Sequence, residues 1–532
     1  MPVVFLAVFF VYPVASLVGR GFTNGSGVTA APVLDVLASA RTWRIVGQTL
    51  GQSVAGTVLC VALGLPGAYL LYRCRFPGRR VWRAVVSVPF VLPSVVVGVA
   101  FRALLGAGGP LGWLGWQDSA AAVIPALVFF NYSVVVRTVG TFWARLDSRP
   151  ADAARSLGAS RLRVLRTVTL PALAPSIASA SALVFLFCAS AFGVVLILGG
   201  ASYGTVETEI WYQTTQLLNL PVASALSILQ LVIVGACLIV TNAARARSER
   251  ALRLSGDAGG RPLRVADWPA VVVGVVVLAF LVLPMVTLVQ HSFVTATGVG
   301  WGNYARLAVP SDTIPASVWQ ATSNSLVIAV VAAALSIVLG VLVAYVLSRH
   351  PVSLTGGRVL HLTDAVFMLP LGVSAVTVGF GFLISLNRPP LDMRTSWTLI
   401  PIAQAMVALP LVVRTLLPVW RAIDPRQRQA AASLGASPRR VLATVDAPVL
   451  LRGLGLAVGF AFATSLGEFG ATSFLARPDH PTLPVIIVLL LGRPGADNAG
   501  TAMAASVVLA LLTGVVMGAA ELLGSKQVTR RF

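Results

Sequence analysis

Long apolar runs separated by short polar connections dominate the sequence. Runs of about 20 apolar residues, long enough to cross the hydrocarbon layer of a bilayer as helices, recur along the whole chain. They lack the alternation of apolar and polar residues that is typical of barrel strands, so they predict membrane helices. About twelve spans are predicted, at residues 2–19, 46–71, 84–105, 121–142, 171–198, 221–243, 267–290, 321–347, 361–386, 397–418, 448–475 and 498–523.

Two polar, arginine-rich segments interrupt this pattern at matching places. The first island is DAARSLGASRLRVLRTVTLP, Asp152 to Pro171, and the second island is QAAASLGASPRRVLATVDAP, Gln429 to Pro448. The repeat extends further, because LGLPGAYLLYR at 63–73 is similar to LGVLVAYVLSR at 339–349. Each half has six predicted spans and starts on the same side, so the sequence predicts an all-α polytopic membrane protein of two parallel six-helix repeats. Their interface is the natural place for a pathway.

The repeat also divides the chain into units. The segment ARARSERALRLSGDAGGRPLR lies between the halves, and its charge and glycines predict a solvated linker rather than another span. We therefore predict a first transmembrane domain at 1–243, a cytoplasmic linker at 244–266 and a second transmembrane domain at 267–532.

Composition supports a membrane location, and the placement of charge gives the orientation. The chain is 57% hydrophobic and 11% charged, with a mean hydropathy of +0.87, which is far more apolar surface than a soluble core hides. The formal charge of +21 indicates how the chain is oriented in the membrane rather than nucleic-acid binding, because most Lys and Arg residues fall in alternate connections. Both islands and both termini are predicted to be cytoplasmic in a multi-pass protein of the cell membrane.

The start of the chain and its cysteines suggest no processing and no metal site. The N-terminal apolar run has no basic segment before it and no convincing cleavage site, so it is predicted to be a first span. Because Pro13 matches Pro284 yet has only twelve residues before it, either the first helix is short or the true start lies upstream of Met1. The four cysteines lack metal-ligand or redox spacing, and we interpret them as small apolar residues.

Local signals in the second island predict two short helices joined by a glycine corner. Asp424 and Pro425 are a helix cap and a favoured first residue, and Gly435 is a helix stop. Ser437 and Pro438 repeat the start signal before the next span. The first island offers the same signals at Asp147, Gly158 and Ser160.

The islands are candidates for docking surfaces. Small residues at Ala153, Ala154, Ala430 and Ala431 would let another surface approach, and the flanking arginines offer charge complementarity. The alternative is a pair of ordinary amphipathic helices at the membrane interface. Two copies at matching positions favour docking.

Both islands resemble the signature loop of permease subunits of binding-protein-dependent ABC importers. That loop reads Glu-Ala-Ala, three residues, Gly, nine residues, an aliphatic residue, one residue and Leu-Pro. The first island matches it, with Asp for Glu, at Asp152, Ala153, Ala154, Gly158, Val168, Leu170 and Pro171. The second matches it, with Gln for the acid and Ala447 for the Leu, at Gln429, Ala430, Ala431, Gly435, Val445 and Pro448.

The resemblance implies a type I ABC importer permease fold with both halves fused in one chain. Each island would form a coupling helix seated in a groove of an ATPase subunit, so two copies of that subunit are expected. A P-loop needs a lysine, and Lys526 is the only lysine, without the required glycine spacing. We therefore expect a transport subunit, not an enzyme, which binds no cofactor while a partner ATPase uses ATP. An extracytoplasmic binding protein would deliver the solute.

Polar residues in the spans are candidate functional groups. Glu468, in SLGEFGA, is a candidate for the translocation path, with local hydrogen bonding at a glycine-broken helix as the alternative. Asn131 is a second path candidate, with helix-to-helix hydrogen bonding as its alternative. Glu207 and Glu209 are predicted to lie in a solvated outer loop that contacts the binding protein. The first half reads SAFGV where the second has GEFGA, so any acidic site is asymmetric.

The solute and the energy source have alternatives. The whole-chain pattern resembles the fused permeases for thiamine and for ferric iron, while polyamine, molybdate and sulfate permeases share segments like SLGEFGA. A secondary transporter of two six-helix halves, driven by an ion gradient, is the alternative from another class, suggested by RCRFPGRR. That loop lacks the acid such transporters use there, and the doubled island has no role in them. The favoured mechanism is alternating access driven by closure of the ATPase.

Overall fold

The structure is a computed structural model that describes residues 2–24, 27–248, 260–296, 298–310, 316–348, 367, 370, 373–387, 389, 391–393 and 396–529. Within these ranges the regular secondary structure is helical apart from three short two-stranded ladders. The ladders are Thr23–Asn24 with Gly27–Val28, Cys74–Arg75 with Arg261–Pro262, and Val294–Thr295 with Gly298–Val299. The predicted all-α class is confirmed.

The helices follow the apolar runs. Those of the first half are Pro2–Leu6, Ala7–Val11, Tyr12–Gly21, Ala31–Ala38, Ala40–Ala68, Tyr69–Arg73, Arg79–Val91, Ser94–Leu105, Gly112–Leu114, Ala120–Arg145, Arg149–Ser156, Arg161–Val164, Leu165–Thr169, Leu170–Ala189, Gly193–Leu198, Val206–Thr215 and Leu220–Ser248. Those of the second are Val265–Asp267, Trp268–Ser292, Gly302–Arg306, Val318–Leu347, Ala375–Ser385, Leu399–Arg421, Pro425–Ser433, Pro438–Val441, Leu442–Asp446, Ala447–Leu466, Thr472–Leu475, Leu483–Leu491 and Ala496–Thr529.

Among the described residues, nine helical stretches are long and apolar enough to cross a membrane. Two bent pairs raise the number of candidate spans to as many as 11. The chain is thus a polytopic membrane protein. Most of the first part of the ninth predicted span, 361–386, lies outside the described residues, and its end forms the helix Ala375–Ser385.

Three spans that the sequence predicted as continuous are broken. The span at 84–105 consists of Arg79–Val91 and Ser94–Leu105, which meet at 105°. The break falls at Leu92, which is extended because the following proline disfavours the helical conformation. In the span 171–198 the helix ends at Ala189 and a new one, Gly193–Leu198, follows. In the span 448–475 the helix ends at Leu466 and a new one, Thr472–Leu475, follows.

The first span of each half packs against the opposite half. Tyr12–Gly21 lies along Ala375–Ser385, where the missing side chain of Gly381 leaves room for Pro13. In the same way Trp268–Ser292 lies along Ser94–Leu105. The two halves are therefore interleaved rather than simply apposed.

The end of the predicted linker is fixed to the first half. Arg261 donates to Asp267 at 2.7 Å, and the hydroxyl of Tyr69 donates to the same carboxylate at 2.8 Å. Hydrogen bonding to Asp267 raises the pKa of the Arg261 guanidinium above its ordinary value. At the other end of the linker the preceding helix continues to Ser248, past the predicted span end at 243.

Candidate functional site

The second island folds as its local signals predicted. Asp424 accepts a hydrogen bond from the backbone N–H of Arg426 at 2.9 Å, and the helix Pro425–Ser433 follows it. Gly435 then turns the chain with a φ of +79°, a conformation that glycine adopts without steric cost. Ser437 caps the next helix by accepting from the backbone N–H of Arg440. The predicted order of short helix, glycine corner and short helix is confirmed.

The first island has the same local structure. Asp147 accepts from the backbone N–H of Arg149 at 3.0 Å at the start of the helix Arg149–Ser156. Gly158 has a φ of +82°, and Ser160 caps the helix Arg161–Val164. The corners also share a feature that sequence analysis missed. Leu157 is 89% exposed and Leu434 is 88% exposed, at matching positions of the two islands.

The islands differ in how they are attached to the span that follows. In the second island Arg428 donates to the buried carboxylate of Asp446 at 2.7 Å, which ties the short helix to the base of the next span. The matching positions in the first island are Ala151 and Thr169, so this link is absent there. The first island instead has a pair between Arg155 and Asp152 in which both side chains are exposed.

A cavity of about 480 Å³ lies between the two halves. Both predicted path residues, Asn131 and Glu468, line it. Segments around the three helix breaks supply much of the wall, since the side chains around Pro93, Phe192 and Phe469 all face it. The three breaks therefore shape the cavity, and the sequence suggested only the one at Glu468, as an alternative.

Glu468 is held by its own loop. Its carboxylate accepts hydrogen bonds from the backbone N–H groups of Ala471 at 2.7 Å and Thr472 at 3.0 Å. The hydroxyl of Thr472 donates to it as well, at 2.5 Å. The local hydrogen bonding considered as the alternative is therefore present, and the same carboxylate lines the cavity.

Asn131 is buried against the broken span of its own half. Its amide donates to the carbonyl of Leu127 at 2.9 Å and lies 3.6 Å from the sulfur of Cys188. Its side-chain oxygen is buried and has no hydrogen-bond partner among the residues that the structure describes. An acceptor of this kind is costly to leave unpaired, so it is a candidate contact for a solute.

Glu207 and Glu209 do not lie in a solvated loop, so that prediction is wrong. They belong to the helix Val206–Thr215, which a capping box at Thr205 starts. Glu207 is fully buried and accepts from Gln230 and Ser374, each at 2.8 Å.

Glu209 pairs with Arg41 at 3.0 Å and also accepts from Gln213. Contact of these two acids with a binding protein stays a prediction. Glu207 would have to leave its buried position to make such a contact.

Comparison with known proteins identifies the class. Residues 56–254 match the sequence model of the family described as "Binding-protein-dependent transport system inner membrane component". The thiamine transport system permease protein ThiP of Brucella abortus (strain 2308) is 27% identical over 94% of this chain and 90% of its own length. This chain is a permease of a binding-protein-dependent ABC transport system.

Other relatives support the same conclusion over nearly the whole chain. ThiP of Escherichia coli (strain K12) is 27% identical to the permease over 87% of this chain and 86% of its own. The ferric transport system permease protein FbpB of Actinobacillus pleuropneumoniae is 22% identical over 96% and 75%. The permease is thus a transport subunit of the inner membrane rather than an enzyme. Its family implies an ATPase and a binding protein as partners.

Several residues of the permease that sequence analysis missed contribute to the site. Ser374 lies at the start of Ala375–Ser385 in the second half and binds Glu207 of the first half. Phe192 and Phe469, one from each half, stack on each other in the cavity wall. The matched segments SAFGV and GEFGA carry a signal for that pair, because both place phenylalanine before the glycine. The Glu207–Ser374 contact left no such signal, since it joins segments far apart in sequence.

Replacing Glu207 with alanine is expected to destabilise the permease, whereas glutamine is expected to be tolerated. Alanine removes an acceptor from two buried donors, at a cost of about 1–3 kcal/mol for each unpaired group. Glutamine can accept from Gln230 and donate to the hydroxyl of Ser374. Thermal unfolding of the detergent-purified permease measures the difference. Equal midpoints for the two variants would contradict this account of Glu207.

Proposed function

We propose that this permease forms the translocation path of an ATP-driven importer whose solute is thiamine or ferric iron. The observation that carries the proposal is the cavity between the halves, which broken helices of both halves line. Broken helices at the interface of repeats are where membrane transporters place solutes. The relatives named for thiamine and ferric transport supply the solute candidates. Asn131 and Glu468 are the proposed path residues.

The proposed architecture is twelve spans in two parallel six-helix repeats, with both termini in the cytoplasm. Its domains are 1–243 and 267–532, joined by a linker at 244–266. Two features support the repeat: the islands share their caps and glycine corners, and the first spans pack on opposite halves in the same way.

The islands are the proposed contacts with two copies of the ATPase subunit. Each presents a nearly fully exposed leucine beside its glycine corner, which is an apolar anchor of the kind that interfaces bury. The proposed contact residues are Asp152, Ala153, Ala154, Gly158, Leu170, Pro171, Gln429, Ala430, Ala431, Gly435 and Pro448. In this scheme the ATPase uses ATP, this chain binds no cofactor, and closure of the ATPase rocks the halves around the cavity.

Uptake into vesicles tests the proposal. The permease is reconstituted with its ATPase and binding protein, and uptake of labelled thiamine and of ferric ion is followed with and without ATP. The control is an ATPase whose P-loop lysine is replaced, because that lysine contacts the phosphates. We expect uptake of one of the two solutes only with ATP and the intact ATPase.

Two outcomes would contradict the proposal. Uptake that persists with the inactive ATPase and follows an imposed ion gradient would establish a secondary transporter. ATP-driven uptake of a polyamine, molybdate or sulfate, without uptake of thiamine or ferric ion, would overturn the solute assignment.

A further inference from the structure

The cavity between the halves has aromatic walls. Phe90 contacts Phe130 and Phe187, with ring centroids 6.1 and 6.3 Å apart, and all three line the cavity. Opposite halves supply a second pair, Phe192 and Phe469, with centroids 5.4 Å apart and ring planes only 12° from parallel. Flat apolar faces of this kind suit a flat ring.

The stacked pair sits where both broken spans interrupt their helices. Each phenylalanine precedes a glycine, Gly193 in one half and Gly470 in the other. A side chain on Gly193 would lie 2.7 Å from the Ser94 hydroxyl, so the glycine lets this break pack closely on the break at Pro93 of the same half. Any motion that separates the halves here also separates two parallel rings, which opens a slot with aromatic faces.

The polar groups of the cavity add charge and a hydrogen-bond acceptor. Glu468 directly precedes Phe469, and three donors hold its carboxylate in one position. Asn131 contributes a buried side-chain oxygen without a partner in the described part of the chain. Arg414 also lines the cavity, and it is already engaged in an interaction within the protein. The arrangement complements a cation that carries a hydrogen-bond donor.

The donor set suits an organic solute better than a metal ion. Proteins bind metal ions through clusters of His, Cys or carboxylate groups. Within the described ranges no group of three such residues lies close enough to hold one. Among the described residues that line the cavity, Glu468 carries the one carboxylate, and its oxygens already accept three hydrogen bonds.

We propose that Phe192 and Phe469 form an aromatic clamp for a flat, cationic heteroaromatic solute. In this clamp Glu468 balances the positive charge and Asn131 accepts a hydrogen bond from the ring's donor. The inference rests on the proposed function, and of the two solutes named there it selects thiamine, a positively charged heteroaromatic with an amino group. The two phenylalanine rings part as the halves separate, and the solute ring then stacks on the ring faces that become exposed.

Leucine substitutions test the clamp, because leucine keeps apolar bulk and removes the ring. Phe192→Leu with Phe469→Leu is compared with Phe380→Leu, a fully buried phenylalanine that does not line the cavity. In vesicles that contain the permease, its ATPase and the binding protein, thiamine uptake by the double variant is expected to fall roughly tenfold. The Phe380→Leu variant is expected to transport normally.

A direct binding measurement distinguishes loss of the clamp from loss of protein stability in the double variant. Labelled thiamine is titrated into the purified permease–ATPase complex without binding protein, and its thermal midpoint is recorded in parallel. We expect saturable binding that ferric citrate does not displace and that the double leucine variant loses while still folded. Thiamine binding or uptake unchanged in that variant would overturn the clamp.

The wild-type transporter distinguishes failure of the clamp from failure of the proposed function. ATP-driven uptake of ferric ion without thiamine would overturn the clamp and leave the importer intact. Absence of ATP-driven uptake of either solute would overturn both.

Discussion

Replacing Gly158 and Gly435 together with proline is expected to abolish uptake while the permease still inserts into the membrane. Both glycines hold positive φ angles, +82° and +79°. Proline fixes φ near −65°, so neither corner can form and both short helices must change direction. The spans themselves are untouched, because the corners lie outside them.

Asparagine at both positions is the matched control. It tolerates the left-handed conformation far better than most residues, so the corners should survive and uptake should remain high. The measurements are uptake into vesicles, the amount of permease in the membrane fraction and co-purification of the ATPase. Normal uptake by the proline variant would show that the corners do not position a coupling surface.

Removing the Asp446 carboxylate is expected to destabilise the second island much more than removing Asp152 destabilises the first. In Asp446→Ala the guanidinium of Arg428, whose side chain is 17% exposed, loses its carboxylate partner. Breaking a buried ion pair in this way costs about 3–5 kcal/mol. Asp152→Ala breaks an exposed pair, which is worth about 0–1 kcal/mol. Thermal unfolding of the two purified variants measures the contrast.

A double replacement shows whether the charges or only the attachment matter. Arg428→Leu with Asp446→Leu removes both charges and leaves an apolar contact, which often restores most of the stability lost by a broken pair. If the link serves only to hold the short helix against the span, uptake should recover with stability. Equal destabilisation by Asp446→Ala and Asp152→Ala would contradict the role given to the buried pair.

The islands could be predicted from sequence because short-range physics determines them. A capping side chain, a proline at the first helical position and a glycine with positive φ each act within a few residues. The helix breaks were harder to predict. Pro93 is visible in the sequence, yet the apolar run around it favoured one continuous span. At SAFGV no charged residue or proline marks the interruption.

The burial of Glu207, in contrast, could not be predicted from sequence. Sequence placed Glu207 in a solvated loop because its segment is polar and lies between spans. Its burial depends on Gln230 and Ser374, and Ser374 belongs to the other half of the chain. Local composition carries no trace of such a partner. The cavity has the same origin, since its walls come from segments that meet only after both halves have folded.

The interleaved packing of the first span has a consequence for biogenesis. Residues 2–21 leave the ribosome long before the helices they pack on, which are Leu220–Ser248 of the same half and Val318–Leu347, Ala375–Ser385 and Leu399–Arg421 of the other. Leu6 and Leu17, buried in the finished protein, must therefore face lipid while hundreds of residues are still being synthesised. Lipid chains are as apolar as leucine, so exposure of these side chains to lipid during synthesis costs little free energy. The permease thus completes its fold late, when the second half inserts and encloses residues 2–21.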